Sequence, residues 1–288
     1  MIVRPIRYYN DNFCYLIRAV QDVAYTLVDP GDNQFILQQI KQNNLPIERI
    51  LLTHRHMDHI GTNFEGFFSG LTSYLTEKTG TEPNLEVFAG ADENMNFVNH
   101  PLHKTSESEE FDFGNWTMKT FHSPCHTRGH VLYYIQAKQQ AEERDFTSEN
   151  KLDCQFNKIL LTGDTVFISG LGKFFEGTPN EMAKNVDYVS SLSGDTQIFP
   201  GHDYLFSNLK FCTAIDKTRL DVYESYIQKM KNREAAGIHL LPSSVDQEKS
   251  TNIFFRYKEQ VLKDALGVSD DVESLGTLRE WKDVGRSL

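Results

Sequence analysis

Four short apolar runs in the first 200 residues each lead into a loop that carries a histidine or an aspartate. The runs are rich in β-branched and aromatic residues and therefore predict β-strands: RILLT (49–53), WTMKTF (116–121), KILLT (158–162) and TQIFP (196–200). The polar residues that follow them include His54, His126, Asp164 and His202. Because a strand supplies rigidity and the loop after it supplies reach, this pattern favours a functional site at one edge of a sheet.

The order of strand-like and helix-like segments indicates a layered α/β or α+β domain. Further strand-like runs lie at 24–29, 85–90 and 131–135, and helical patterns lie at 33–44 and 178–192. After residue 203 the pattern is mostly helical, at 218–238, 258–268 and 272–281. We therefore predict a layered domain over 1–203 and a smaller helical domain over 204–288. The polar segment 136–157 has no periodicity and is interpreted as an exposed loop or hairpin tip.

Composition and charge argue against several classes of protein. Hydrophobic residues make up 39% of the chain, and no window approaches the roughly 18 consecutive apolar residues of a membrane span. The net charge of −11 argues against a nucleic-acid partner. The start of the chain lacks a signal-peptide pattern, and the four cysteines show no C-x-x-C spacing. We therefore expect a cytoplasmic protein with no disulfide framework and no cysteine-built zinc site.

The stretch THRHMDH (53–59) places three histidines and an aspartate directly after a predicted strand. His54 and His56 are two residues apart and can point the same way, while Asp58 and His59 are offset toward a second point nearby. Imidazole nitrogens and carboxylate oxygens are ligands that zinc and similar metals prefer. A solvated, histidine-rich loop is the alternative, and the three further ligand-type residues at other strand ends disfavour it.

These motifs resemble the metallo-β-lactamase superfamily and, in finer detail, its glyoxalase II (hydroxyacylglutathione hydrolase) family. The resemblance runs from about residue 10 to about residue 260 and is carried by T-H-x-H-x-D-H, SPCHTRGH, LTGDTVFISGLGKFFEGT, PGHDY followed by NLKF, and TNIFFR. It implies a four-layer αββα sandwich that holds two metal ions, with a smaller C-terminal helical domain. Zinc is the expected metal, with iron or manganese as alternatives.

The resemblance also implies a role for each matching residue. One metal would be held by His54, His56 and His126, the other by Asp58, His59 and His202, with Asp164 bridging them. His122 and His130 fall outside this pattern and are interpreted as structural. Cys125 adjoins a ligand and is interpreted as a packing residue rather than a nucleophile.

Two metals that share one water can lower its pKa from about 16 toward 7 and so supply hydroxide at neutral pH. Asp58 and Asp164 would be the catalytic carboxylates that hold the metals and this hydroxide. A thiolate leaves without prior protonation, because a thiol pKa is about 8.5. The family's substrate is the thioester S-D-lactoylglutathione, which is hydrolysed to D-lactate and glutathione in the second step of methylglyoxal detoxification. The chain has no G-x-S-x-G motif that would support a serine nucleophile.

Five residues match positions that contact the substrate in the family, or lie beside such positions: Lys173, Phe175, Tyr204, Arg256 and Lys258. Phe175 stands where the family commonly has tyrosine, and Ile253 replaces a proline in the motif before Arg256. These departures leave the hydrolytic centre intact and concern the thiol carrier.

Other functions fit the sequence less well. A mononuclear-iron persulfide dioxygenase acting on a glutathione derivative would need neither the helical domain nor Asp58 and His59 as ligands. A thioesterase for a different thiol carrier also fits, whereas a nuclease is disfavoured by the acidic charge. A non-catalytic scaffold would have no need of seven intact ligand positions. We expect a monomer that acts on a small-molecule glutathione thioester.

Overall fold

A computed structural model describes residues 1–103 and 108–286, which form two compact units. Unit one contains Met1–His122, Gly129–Asp145 and Leu152–Ile159. Unit two contains Ser123–Arg128, Phe146–Lys151 and the chain from Leu160 onward. Within the described ranges, none of the helices combines the length and the apolar character that crossing a membrane requires. The domain boundary after residue 203, the cytoplasmic location and the monomeric state stay predictions.

Unit one is built on a mixed β-sheet with three helices. Its elements are β1 (Ile2–Tyr8), β2 (Asn12–Arg18), β3 (Tyr25–Val28), α1 (Asn33–Gln42), β4 (Ile47–Leu51), α2 (Met57–Ile60), α3 (Phe64–Thr79), β5 (Glu86–Gly90), a 3-10 helix (Ala91–Glu93), β6 (His100–Leu102), β7 (Glu110–Asp112), β8 (Trp116–His122), β9 (Val131–Ala137) and β10 (Cys154–Gln155). Seven strands form one sheet in the order β10-β1-β2-β3-β4-β5-β6. The pairs from β3 to β6 are parallel, and the others are antiparallel. Strands β7, β8 and β9 pair antiparallel in a second sheet.

The core of unit one is apolar and lies between its sheet and the helices α1 and α3. The helices contribute Ile36, Ile40, Phe67 and Leu71, each at most 2% exposed. On each helix the two residues are four positions apart, so that each helix turns one apolar stripe toward the sheet. Burial of this kind stabilises by about 25 cal/mol per Å² of apolar surface and fixes where the strands end.

Unit two is mainly helical. Its elements are β11 (Lys158–Gly163, in this unit from Leu160), β12 (Val166–Phe167), β13 (Gly170–Leu171), α4 (Pro179–Ser191), β14 (Gln197–Pro200), α5 (Leu205–Ile215), a 3-10 helix (Lys217–Arg219), α6 (Leu220–Ala235), β15 (Ser243–Ser244), α7 (Val245–Thr251), a 3-10 helix (Ile253–Arg256), α8 (Gln260–Leu266) and α9 (Asp271–Val284). Strand β14 lies between β11 and β15, and β12 pairs with β13. Helix α4 begins with a capping box between Thr178 and Glu181.

The strands and helices predicted from periodicity are present. The apolar runs correspond to β3, β4, β5, β8, β9, β11 and β14, and the helical patterns correspond to α1, α4, α6, α8 and α9. The interpretation of 136–157 as an exposed loop needs a correction, because β9 continues to Ala137 and Cys154–Gln155 forms β10 against β1. Phe146, within that segment, is 3% exposed. Burial of this aromatic side chain orders part of a segment whose polar composition predicts no ordered structure.

Candidate metal centre

In unit one, a buried carboxylate fixes the chain where β4 ends and the THRHMDH stretch begins. Asp29, 2% exposed, accepts a hydrogen bond from the Thr53 main-chain N–H at 2.8 Å and another from the Thr53 hydroxyl at 2.7 Å. The Thr53 carbonyl accepts a hydrogen bond from the Val131 N–H at 2.9 Å. Thr53, the residue before His54, is therefore fixed by hydrogen bonds to both Asp29 and Val131.

These hydrogen bonds determine which ring nitrogen of His54 carries the proton. The Thr53 hydroxyl donates to Asp29, so its oxygen accepts from His54 Nδ1, which lies 3.0 Å away. The lone pair of His54 is therefore on Nε2, which lies 3.0 Å from Nδ1 of His56. The His54 ring is fully buried and stacks on His130 with the ring centres 4.9 Å apart.

His59 and Asp58 lie on the short helix α2, and each is held by a residue outside it. His59 Nδ1 lies 3.0 Å from Asp29 Oδ2, and since a carboxylate only accepts, the His59 proton is on Nδ1. The Asn12 side-chain amide donates to Asp58 Oδ2 at 3.0 Å, and the Tyr8 hydroxyl donates to the Asp58 carbonyl at 2.6 Å. His59 Nε2 then lies 3.8 Å from Asp58 Oδ2.

Glycine at position 31 permits this close packing. A Cβ atom at Gly31 would lie 2.0 Å from the Asp58 carbonyl oxygen. Any other residue would therefore push α2, and with it Asp58 and His59, out of position.

Unit two brings together His126, Asp164 and His202. Asp164 follows β11 and His202 follows β14, and a hydrogen bond of 2.9 Å from the Gly201 N–H to the Gly163 carbonyl ties the two strand ends together. Asp164 Oδ2 lies 3.4 Å from Nε2 of each histidine. All three residues are at most 6% exposed.

The His126 ring is oriented by a main-chain carbonyl. His126 Nδ1 lies 3.1 Å from the Lys173 carbonyl oxygen, which can only accept, so the proton is on Nδ1. The lone pair on Nε2 then faces Asp164. Metal-binding histidines are commonly held in this way by a partner on the other ring nitrogen.

The donor atoms within each unit have the chemistry and the spacing that a divalent metal requires. Two ligand atoms bound to one tetrahedral ion at about 2.05 Å lie about 3.3 Å apart. The contacts between donors in unit two, at 3.4 Å, and between His54 and His56, at 3.0 Å, are close to this value. His54, His59 and His126 all present Nε2 as the lone-pair nitrogen, so the residues fit the metal that the sequence implies.

Two further histidines, His122 and His130, and the cysteine beside His126 lie outside the proposed ligand sets. His130 is buried beneath His54, and His122 Nε2 lies 3.7 Å from a carboxylate oxygen of Asp92. Burial raises the pKa of Cys125 to about 12, and its thiol faces the Thr178 carbonyl at 3.6 Å. A thiol with such a raised pKa is a poor nucleophile near neutral pH.

Three of the predicted substrate residues lie beside ligands of unit two. The Phe175 ring, on a residue that is 61% exposed, has its centre 5.1 Å from that of His126. The Tyr204 ring stacks on His202 at 4.9 Å with an angle of 8°. The Lys173 side chain is 55% exposed, and its ammonium lies 5.9 Å from the centre of the Phe175 ring.

Arg256, for which the resemblance implies a substrate contact, is buried and paired with carboxylates in the structure. Arg256 is 4% exposed; it donates to Asp216 at 2.7 Å and to both oxygens of Glu259 at 3.0 and 2.6 Å. Burial alone would lower the pKa of Arg256, but the hydrogen bonds to these carboxylates together have the larger effect, so the pKa lies above its ordinary value. Lys258 is half exposed and bonds to Asp187 at 2.7 Å. A direct substrate contact by either residue stays a prediction.

Sequence reasoning missed Asp29, Asn12 and Tyr8, which hold the ligands of unit one. Asp29 carried a signal that could have been used, because the strand-like run AYTLVD ends on it. This run is a further strand of the chain with a carboxylate at its end. Asn12 and Tyr8 flank the turn between β1 and β2, and their sequence context contains no comparable signal.

Comparison with known proteins assigns this fold to a class. The chain matches the family described as "Metallo-beta-lactamase superfamily" over residues 9–139 and the family described as "Hydroxyacylglutathione hydrolase C-terminus" over residues 203–285. The crystal structure of ETHE1 from Myxococcus xanthus is similar in fold, with a TM-score of 0.58 and 19% identity, over 97% of this chain and 90% of that one. The protein therefore has the metallo-β-lactamase fold, with mixed sheets flanked by helices and a helical C-terminal region, as predicted.

Curated relatives narrow the class to one family. A hydroxyacylglutathione hydrolase from Shewanella loihica is 30% identical over 98% of both chains, and one from Gloeothece citriformis is 31% identical over 95% of this chain and 96% of its own. The chain belongs to the hydroxyacylglutathione hydrolase (glyoxalase II) family. It is a metal-binding thiolester hydrolase.

Proposed function

We propose that the protein hydrolyses S-D-lactoylglutathione to D-lactate and glutathione at a centre of two divalent metal ions. The observation that carries the proposal is the similarity to hydroxyacylglutathione hydrolases along nearly the whole chain. In the proposed centre, one ion is held by His54, His56 and His126, the other by Asp58, His59 and His202, and Asp164 bridges them. The donor spacings within each unit support this assignment.

The protein's own residues have two tasks in this proposal. Asp29 and the Lys173 carbonyl hold the Nδ1 protons of His59 and His126, which keeps each Nε2 available as a ligand. Asn12 holds the carboxylate of Asp58 in one orientation. When bound, the ions would lower the pKa of a water molecule and polarise the thioester carbonyl.

The leaving group needs no acid from the protein. Glutathione departs as a thiolate, because a thiol with a pKa of about 8.5 is a stable enough anion. The raised pKa of Cys125 supports a mechanism without a covalent cysteine intermediate. Lys173 and Tyr204 are proposed to contact the glutathione part of the substrate, since both lie beside ligands and Lys173 carries a positive charge.

Zinc is the proposed metal, because imidazole and carboxylate donors suit it. Iron and manganese use the same donor types, so a reconstitution with each metal decides between them.

The proposal is tested by measuring bound metal and thioester hydrolysis on the same purified sample. We expect two metal ions per chain and rapid loss of S-D-lactoylglutathione. His56→Ala and His202→Ala should each lose metal and activity. His100→Ala is the matched control, because His100 lies on β6 next to Glu86 and belongs to neither ligand set.

A sample with two metal ions per chain that leaves S-D-lactoylglutathione intact would overturn the proposal. Hydrolysis of another acyl thioester in that sample would identify a different thiol carrier. Oxygen uptake with glutathione persulfide, in a sample holding one iron per chain, would identify a persulfide dioxygenase instead.

A further inference from the structure

Four successive residues of the segment 168–171 are held through main-chain hydrogen bonds by buried side chains of unit two. This segment lies between β12 and Lys173. Asn208 donates to the Ile168 carbonyl at 2.9 Å, Glu248 accepts from the Ser169 N–H at 2.8 Å, Asn252 donates to the Gly170 carbonyl at 3.1 Å, and Arg279 donates to the Leu171 carbonyl at 2.7 Å. We call the four side chains, Asn208, Glu248, Asn252 and Arg279, the loop clamp.

The clamp residues are buried polar groups that hold this segment and have further contacts: Arg279 also donates to Asp283 at 2.8 Å, and Asn252 also accepts from the Phe254 N–H at 3.0 Å. Each is at most 7% exposed, so each costs free energy unless its hydrogen bonds are made. Glu248 also accepts from Asn252 at 2.8 Å and from the Ser243 hydroxyl. The clamp is therefore a connected network in which the segment supplies several of the partners.

The segment itself is strained and needs such support. Ser169 has φ of +56°, in the left-handed region that non-glycine residues rarely adopt. A conformation of this kind costs about 1–3 kcal/mol and persists only where the surroundings determine it. Strained residues of this kind cluster at functional sites, which favours a functional role for the position of this segment.

The clamped segment leads directly to two residues of the proposed site. The Gly172 N–H donates to the Thr165 carbonyl at 3.1 Å, and a Cβ at Gly172 would lie 1.7 Å from the Asp164 carbonyl oxygen. The next residue, Lys173, accepts from His126 Nδ1. A shift of the segment would therefore move both the Lys173 side chain and the group that orients His126.

We infer that the loop clamp positions His126 for metal binding and Lys173 for substrate binding. This inference rests on the proposed function for the roles of those two residues. The clamp side chains touch neither substrate nor metal in this account, so they are positioning residues. They lie on α5, α7 and α9 and at the residue after α7, which gives the helical region a part in building the metal centre.

The test compares Arg279→Leu with Arg233→Leu. Both arginines donate to main-chain carbonyls of unit two, but Arg233 donates to His239 and Leu241, outside the segment 168–173. We expect Arg279→Leu to weaken zinc binding at the proposed site that includes His126 by about 10-fold or more, as for other groups that orient ligands, and to raise KM for S-D-lactoylglutathione. Arg233→Leu should lower the melting temperature without either effect.

A conservative rescue and a readout on the metal-free protein complete the design. Glu248→Ala should weaken zinc binding, while Glu248→Gln, which keeps an acceptor for the Ser169 N–H, should restore it. In metal-free protein, the ¹⁵N signals of the His126 ring should show a single Nδ1–H form in the wild type and a mixture in Glu248→Ala. Asn208→Ala, which removes one uncharged donor, replaces Glu248→Ala if that variant does not fold.

Folded Arg279→Leu and Asn208→Ala proteins with wild-type zinc affinity, KM and His126 signals would overturn the inference. Failure of the proposed function gives a different result. In that case the wild type itself lacks zinc binding or hydrolysis, and the His126 signals alone decide whether the clamp orients the ring.

Discussion

The carboxylate of Asp29 is buried at the end of β3 and accepts from the Thr53 N–H, the Thr53 hydroxyl and His59 Nδ1. Its main chain has φ of +48°, a left-handed conformation that aspartate tolerates better than most residues. One side chain thereby fixes the start of the THRHMDH stretch and orients both His54 and His59. It contacts no reacting group in this account and acts through the ligands.

We predict that Asp29→Asn weakens metal binding by His54 and His59 by about 10- to 100-fold, with a matching loss of activity. Both carboxylate oxygens of Asp29 accept hydrogen bonds, whereas an asparagine has one acceptor oxygen. Its N–H₂ group would therefore face a donor, either on Thr53 or the Nδ1–H of His59. Zinc affinity measured by competition with a chromophoric chelator checks this expectation.

Asp22→Asn is the matched control, because Asp22 is a carboxylate of the same unit that accepts from Asn115 and from the Trp116 indole. It should leave zinc affinity unchanged. Equal zinc affinity in the Asp29→Asn and wild-type proteins would show that Asp29 has no part in orienting the ligands.

Position 175 tests the departure from the family pattern. Phe175 is 61% exposed beside His126, so a tyrosine hydroxyl would fit without displacing a buried group. We predict that Phe175→Tyr lowers KM for S-D-lactoylglutathione about 5-fold, as one added hydrogen bond of about 1 kcal/mol would do, with little change in kcat. Phe174→Tyr is the control, and an effect of the same size there would remove the assignment of Phe175 to the substrate site.

The positions of the candidate ligands just after the ends of strands could be predicted, whereas the buried ion pairs of Arg256 could not. The resemblance implies a substrate contact at Arg256, but nothing in the sequence indicates that its guanidinium donates to Asp216, 40 residues before it, and to Glu259, 3 residues after it. Such pairing depends on contacts between distant parts of the chain. Periodicity and spacing carry no information about them.

At the scale of the elements, strands were easier to predict than some helices. Strands β4, β11 and β14 are short and apolar between polar loops, and all three are present. Helix α3 was missed although Asn63 caps its start and Gly80 ends it in the left-handed region. Its sequence FEGFFSGLTSYLTEKT contains two glycines and several aromatic and β-branched residues, whose low helix propensity is offset by burial of Phe67 and Leu71.

Helix α7 carries a buried acid that should make stability depend on pH. Burial raises the pKa of Glu248 to about 7 from its ordinary value of 4.5, against the hydrogen bonds from Ser243, Asn252 and the Ser169 N–H. The titratable groups that face it include Tyr226 and Cys212, whose pKa values burial also raises. Because the folded pKa is the higher one, the stabilisation is complete below pH 4.5 and is lost as the pH rises to about 7.

We predict that Glu248→Gln removes this dependence. The difference in unfolding free energy between wild type and Glu248→Gln should fall by roughly 3 kcal/mol between pH 4.5 and pH 7, since one pKa unit corresponds to about 1.4 kcal/mol. Urea unfolding at several pH values measures it. Glu280→Gln, at an exposed position of α9, should give a constant difference, and a constant difference for Glu248→Gln as well would contradict the assigned pKa.

At the scale of the whole molecule, the fold class could be predicted and the division of the described chain could not. Strand and helix patterns suffice to indicate an α/β domain with a helical end. The two compact units, however, take short segments from separate parts of the chain, such as Ser123–Arg128 in unit two. Segment membership of this kind depends on three-dimensional packing, and the sequence shows no change of composition at those positions.

Whole-chain charge and the charge of a site are separate properties. The net charge of −11 argues against nucleic acid, yet Lys173 offers a half-exposed cation next to Phe175. We propose Lys173 as the local partner of an anionic glutathione thioester on this acidic protein.

The central claim is that thioester hydrolysis requires two divalent ions, held by the two ligand sets given under the proposed function. The most direct measurement removes the metal with a chelator and then follows S-D-lactoylglutathione hydrolysis as zinc is added back in known amounts. The account predicts no hydrolysis without metal and a return of activity that reaches its plateau at two ions per chain. Full activity in the metal-free protein, or none after two ions have bound, would contradict it.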